Sequence, residues 1–237
     1  KYTLVKRGAI AKELEQIRDA MTFVPPRGER REPVYTKTDP RHEPRTSAGS
    51  ALATEAYKNE KRYALVIGNS NYKHVAALRN PVNDASDMAE TLKKLKFDVI
   101  SVTDATYIEI RSAFLQLHEK LTHGSPDETI GLVYYAGHGL QNSGENYLVP
   151  VDAQIEYEDD IPRQCFPVQR MILENMARSN SRMNILILDA CRSNNFPRAT
   201  RGLPSGLAEM KNAKGCFIAF STAPGSTASD GLGRNGL

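Results

Sequence analysis

Short apolar runs rich in β-branched residues, each separated from the next by a stretch with helical spacing, constrain this chain more than any other feature. Residues 62–67, 97–102, 130–136, 183–188 and 215–221 read as five strands, and 83–94, 108–121 and 168–179 as helices between them. In the stretch 83–94, Ala85, Met88, Ala89 and Leu92 recur at the spacing that lines one helix face. Strands that are apolar along their length are buried on both sides, so the predicted fold class is α/β, a mostly parallel central sheet with helices on both faces. No internal repeat interrupts that pattern.

Two of the strands end in chemistry-bearing residues. Residues 130–136 run into Gly137-His138-Gly139, and residues 184–188 run into Asp189-Ala190-Cys191-Arg192-Ser193. In parallel α/β sheets, ligands bind in the crevice at the carboxyl ends of the strands, so two such strands can bring a thiol and an imidazole together. Both segments are expected as small-residue turns just past their strands, where backbone can approach a substrate closely. A catalytic thiol needs a base and N–H donors for the developing oxyanion, and these segments offer both. The alternative is a buried cysteine and a satisfied histidine at the ends of neighbouring strands.

Composition narrows the classes. With 237 residues, 40% hydrophobic and 25% charged, the chain can build one sizeable core. Its net charge of +3 arises largely from the stretch 27–45, which argues against a nucleic-acid groove. No apolar run approaches the roughly 20 residues of a membrane span, and no signal-peptide core is present, so no membrane association is expected. Cys165, Cys191 and Cys216 are too few and scattered for a disulfide framework or a zinc knuckle and fit a reducing, cytoplasmic setting. Cys165 and Cys216 are read as small packed hydrophobes. The segment Gly68-Asn69-Ser70-Asn71-Tyr72 lacks either phosphate-loop signature and reads as a plain turn.

Three regions follow. Residues 1–24 open strand-like and continue as a helix with Ile10, Leu14, Ile17 and Met21 on one face. Residues 25–60 are a polar, Pro- and Arg-rich linker or pro-segment, too poor in apolar residues to offset the entropy of ordering. The main domain is 61–237.

At this point the chain resembles a known family. Strand, Gly-His-Gly and, about fifty residues on, Asp-Ala-Cys-Arg-Ser follow the order of the caspase-like cysteine peptidases, whose signature at the cysteine is Gln-Ala-Cys-(Arg/Gln/Gly)-Gly. Asp189 in place of Gln resembles the metacaspase and bacterial orthocaspase branch. Further matches are Tyr63 to Gly68, Leu78 to Ala85, Tyr147 to Asp152, and Phe220 to Gly225 with Ser229 to Gly231. The resemblance implies a caspase-like three-layer sandwich, with a large-subunit region to about 200 and a small-subunit region from about 214.

It also implies roles. Cys191 would be the nucleophile, His138 its base, and the N–H groups of Gly139 and Cys191 the oxyanion hole; the family needs no third, orienting carboxylate. Asp84 and Asp189 match positions that line an acidic pocket for Arg or Lys, with Asp230 a further candidate. Their other readings are a first-turn carboxylate favoured by the helix dipole and a structural turn. Arg198 and Arg201 lie where the family cuts itself, their other reading being a merely basic loop, and Arg27, Arg30 and Arg31 could place the N-terminal arm in the cleft as a pro-segment. Glu156, Glu158, Asp159 and Asp160 lie where some metacaspases bind calcium, although a charge run is more simply a solvated face, and no cofactor is required. The expected partners are protein or peptide substrates with Arg or Lys before the cut. The competing functions are a non-catalytic interaction module on the same fold and another thiol-dependent acyl transfer.

Overall fold

The computed structural model describes residues 59–191, 206–210 and 215–221, with Cys191 described by its backbone alone. Residues 1–24, the linker up to residue 58, Arg198, Arg201 and Asp230 lie outside the described residues, as do the expectations that rest on them.

The five expected strands are present: β1 (Lys61–Gly68), β2 (Phe97–Thr103), β3 (Thr129–Asn142), β6 (Met183–Cys191) and β7 (Cys216–Phe220). They form a parallel sheet in the order β2-β1-β3-β6-β7. Two short strands were not expected, β4 (Glu145–Leu148) and β5 (Phe166–Pro167), which add antiparallel pairs beyond the end of β3. The turn from β3 to β4 is the two residues Ser143 and Gly144, both at positive φ (51° and 80°), the geometry of a tight hairpin.

Helices cover both faces. α1 (Pro81–Lys94) starts with proline, carries Asp84 in its first turn and Lys93 and Lys94 in its last, all favourable to the helix dipole. Its Val82 N–H is capped by the Ser70 hydroxyl at 3.2 Å. α2 (Tyr107–Thr122) opens with a reciprocal capping box between Thr106 and Glu109. Its buried residues Ile110, Ala113, Phe114, Leu117 and Leu121 pack with Leu65, Ile67, Val133, Tyr135, Leu186 and Leu188. Burying each large side chain there contributes roughly 1.5–3 kcal/mol.

Strand alternation sends Ala64, Val66 and Gly68 to the opposite face, where α1 lies. A Cβ on Gly68 would come within 2.5 Å of the Ala85 Cβ and 2.6 Å of the Pro81 carbonyl, so glycine is what allows α1 to begin so close to the sheet.

The single helix expected over 168–179 is instead a wide π-type turn, Val168–Leu173, followed by a five-residue α-helix, Glu174–Arg178. A short α-helix, Ile161–Gln164, precedes β5. None of the helices among the described residues is long and apolar enough to cross a membrane.

Candidate active site

The expectation that Gly137-His138-Gly139 and Asp189-Ala190-Cys191 are turns past their strands is corrected: both segments are strand. β3 pairs with β6 from Ile130 opposite Met183 through His138 opposite Cys191. From Gly139 onward β3 takes β4 as its antiparallel partner, beginning with Gly139 opposite Leu148. The physical reason is hydrogen-bond supply. The returning β4 supplies partners for the β3 backbone from Gly139 to Asn142, so the chain stays extended where the glycines suggested a turn. His138, opposite Cys191 in the parallel register, therefore stands immediately before the antiparallel pairing with β4 begins.

His138 is 1% exposed and its backbone is held on both sides. Its N–H donates to the Tyr72 hydroxyl at 2.8 Å, and its carbonyl accepts from the Tyr135 hydroxyl at 2.7 Å and from Val149 N–H at 3.1 Å. The two tyrosine hydroxyls lie 3.4 Å apart. Tyr135 commits its only hydrogen to carbonyls, so Tyr72 is the donor between them, and the two phenols close a ring around the His138 peptide groups. Burial pushes both phenols above their ordinary pKa, which keeps them neutral. Gly137 has φ of 155°, and a Cβ there would fall 2.6 Å from each of these hydroxyls. A side chain at that position would displace the ring of hydrogen bonds.

The imidazole is oriented from the loop after β1. The Tyr72 ring tilts against it at 4.5 Å between centroids, and His138 Nε2 lies 2.9 Å from the Ala76 carbonyl. A carbonyl only accepts, so Nε2 carries the hydrogen, and in the neutral ring the lone pair is then on Nδ1. A backbone carbonyl does the orienting that a carboxylate does in other Cys-His sites. No sequence signal marks Ala76, because any residue carries that carbonyl.

The loop that supplies Tyr72 and Ala76 has no regular secondary structure from residue 69 to 72, in place of the expected turn, and it is heavily tied. Asn69 is fully buried; its amide accepts from Ala105 N–H at 2.9 Å and donates to Val149 O at 3.1 Å. Asp104, just past β2, accepts from Ser70 N–H and Asn71 N–H, both at 2.8 Å, and from the Asn71 amide at 2.6 Å. Burial works against the Asp104 charge, but these donors outweigh it and hold its carboxyl below the ordinary range.

The remaining expected residues fall as follows. Gly68, Ala136 and Asp189 form one row across β1, β3 and β6. Asp189 is buried, with Tyr134 O–H donating to its Oδ2 at 3.3 Å. Asp84, also buried, sits in the α1 turn that starts over Gly68 in this row. Gly139 abuts Ala190: a Cβ on it would come within 2.8 Å of the Ala190 Cβ. Asp159 is exposed, and Asp160 Oδ2 accepts from Tyr157 N–H at 2.9 Å and Glu156 N–H at 3.1 Å. Among the described residues, no three His, Cys, Asp or Glu side chains converge as a metal site.

The other two cysteines differ from what a nucleophile requires. Cys165 is fully buried, and burial pushes its thiol far up. Cys216 is half-buried; burial raises its thiol too, against a smaller effect of the hydrogen bond with Asn184. Both are therefore protonated near neutral pH, and only the thiolate is nucleophilic.

Comparison with known proteins adds lineage to this geometry. The human mucosa-associated lymphoid tissue lymphoma translocation protein 1 is 38% identical over 137 residues, covering 56% of this chain and 15% of that protein. Its mouse homologue is 36% identical over the same length and shares. This chain thus spans about a seventh of the length of these relatives. A crystal structure of a Geobacter sulfurreducens protein matches with a TM-score of 0.42 and 17% identity, over 55% of this chain and 50% of that one, too slight a likeness to argue from. The family model for the caspase domain matches residues 61–237, three quarters of the sequence and all of its strand-and-helix core. With that match, and the parallel sheet that sets His138 beside Cys191, the chain belongs to the caspase-domain peptidase family.

Proposed function

We propose that the chain is a cysteine endopeptidase that cuts after Arg or Lys, with Cys191 as nucleophile and His138 as base. The observation that carries this reading is the register that pairs His138 with Cys191 on adjacent parallel strands; with Nε2 directed at the Ala76 carbonyl, the reading assigns the proton of the thiol to Nδ1. Nδ1 takes the thiol proton as Sγ attacks the scissile carbonyl carbon, giving a tetrahedral oxyanion that accepts from the N–H groups of Gly139 and Cys191. Collapse expels the amine, which takes the proton from His138, and leaves a thioester on Cys191. Water, deprotonated by the same Nδ1, then releases the acid and restores the thiol.

The buried carboxylates Asp84 and Asp189 favour a cationic side chain before the cut and repel an acidic one, with Asp230 a further contributor. An enzyme of that preference would cut its own Arg198 or Arg201, so self-processing between its two parts belongs to the same reading. Calcium at Asp159 and Asp160 is not needed for any of these steps.

The experiment is a set of fluorogenic peptides that differ only in the residue before the cut, Arg, Lys, Asp or Leu, with and without calcium. Hydrolysis of the Arg and Lys peptides that disappears in Cys191→Ala is the expected result. Preference for Asp, or hydrolysis that survives in Cys191→Ala, would overturn the proposal. No turnover of any peptide would favour the interaction module.

A further inference from the structure

Asp104 is set apart from its neighbours by the number of donors it gathers and by its backbone. It is one of three non-glycine residues at positive φ among the described residues, at 49°, a conformation that aspartate tolerates better than most side chains. Its own N–H donates to the Gly68 carbonyl at 2.9 Å, at the point where β1 ends. From there its carboxylate gathers Ser70 N–H and Asn71 N–H on Oδ1 and the Asn71 amide on Oδ2.

The next residue along, Tyr72, packs its ring at a tilt against His138 and accepts its backbone N–H, and Ala76, four residues further, accepts from Nε2. Lys73 N–H is bound to Val151 O at 2.8 Å, and Leu78 N–H to Ser70 O at 3.0 Å, so the loop closes on itself immediately downstream of the Asp104 clamp. The carboxylate holds the near end of a short, closed loop, and the far end of that loop sets the imidazole.

We propose that Asp104 is a positioning residue for His138: by clamping Ser70 and Asn71 it fixes the loop that carries Tyr72 and the Ala76 carbonyl, and so fixes the tautomer and direction of the imidazole. This rests on the reading of His138 as the base. Asp104 touches no reacting atom and acts only through the loop.

The chemistry of the clamp supplies its own test. In Asp104→Asn the amide oxygen can still accept the two backbone N–H groups, but the new NH2 then faces the NH2 of Asn71, donor against donor. In Asn71→Asp, two carboxylates face each other. The double exchange, Asp104→Asn with Asn71→Asp, restores the bond with its direction reversed, the new amide donating to the new carboxylate.

Two readouts are taken on the full chain and the three variants: kcat and KM with the Arg peptide, and the 15N shifts of the His138 ring from long-range 1H–15N correlation. Each single variant is expected to lose about 10-fold in kcat with KM held within about twofold, and to draw the two ring-nitrogen shifts together as the tautomers mix. The exchange variant is expected to recover at least half of the kcat loss on a logarithmic scale and the wild-type shifts. Unchanged kcat and shifts in Asp104→Asn, or losses that persist in the exchange variant, would overturn the proposal. The shifts require no turnover. A wild-type chain that hydrolyses no peptide but shows the shift changes and their recovery contradicts the proposed function and leaves the clamp intact; an active chain indifferent to Asp104 contradicts the clamp alone.

Discussion

Replacing His138 with alanine is expected to lower kcat/KM for the Arg peptide by about 10³-fold or more, the scale of removing a general acid and base from a site that uses both. Because the imidazole is buried against Tyr72, the substitution also opens a cavity, and thermal unfolding must be followed alongside activity. His138→Gln separates the effects. It fills most of the space and can still donate to the Ala76 carbonyl, yet it cannot accept a proton near neutral pH. A folded His138→Gln protein with activity as low as the alanine variant places the loss in proton transfer. Activity within tenfold of wild type in either variant would remove His138 from the mechanism.

Selectivity should respond comparably to a change of one atom type at Asp189. Asp189→Asn keeps the volume and leaves an oxygen to accept from Tyr134 O–H while deleting the charge. The expected loss is about 10²-fold in kcat/KM for the Arg peptide, in the range found when one partner of a buried charge pair is removed. Hydrolysis of the matching citrulline peptide, nearly isosteric but uncharged, should change by less than about threefold. The measured quantity is the ratio of the two rates. A drop shared equally by both peptides would show that Asp189 supports the fold of β6 and does not read the substrate's charge. Asp84→Asn offers the same comparison from the α1 side, and a similar collapse of the ratio there would mean that both carboxylates face the bound cation.

The sheet was legible because its strands are apolar on both faces, and runs such as Ala64-Leu65-Val66-Ile67 and Leu132-Val133-Tyr134-Tyr135 admit few other readings. Their ends were not. Gly137 and Gly139 suggest a turn only if β4 is overlooked, and β4 is four residues long with a polar start. The pair Ser143-Gly144 was the available signal for it, since two residues able to adopt positive φ between extended segments are what a tight hairpin requires. The wide turn at 168–173 was hidden for a different reason: its apolar spacing is close enough to helical that periodicity does not separate the two.

Within the site, His138 and Cys191 were visible as residue types in a telling context. What orients His138 was not. Tyr72 lies 66 residues away and is one of ten tyrosines, and the Ala76 carbonyl and the Asp104 clamp act on or through backbone groups that leave no mark in a sequence. Residues that act by what they hold in place become readable only when the loop they hold is seen closed.

The most direct measurement of the central claim is covalent capture. A peptidyl acyloxymethyl ketone ending in Arg carries a carbon that a thiolate can attack, forming a thioether and expelling the carboxylate. Incubated with the intact chain, it should add one peptidyl ketomethyl group in place of the thiol hydrogen, and peptide mapping should place that group on Cys191. Cys165 and Cys216, held protonated by burial, should stay unmodified, and the Asp-ended reagent should label far more slowly. His138→Gln should slow labelling by the Arg reagent. Labelling that falls on Cys165 or Cys216, or that proceeds at Cys191 without regard to the Arg side chain or to His138, would contradict an Arg-directed Cys-His peptidase.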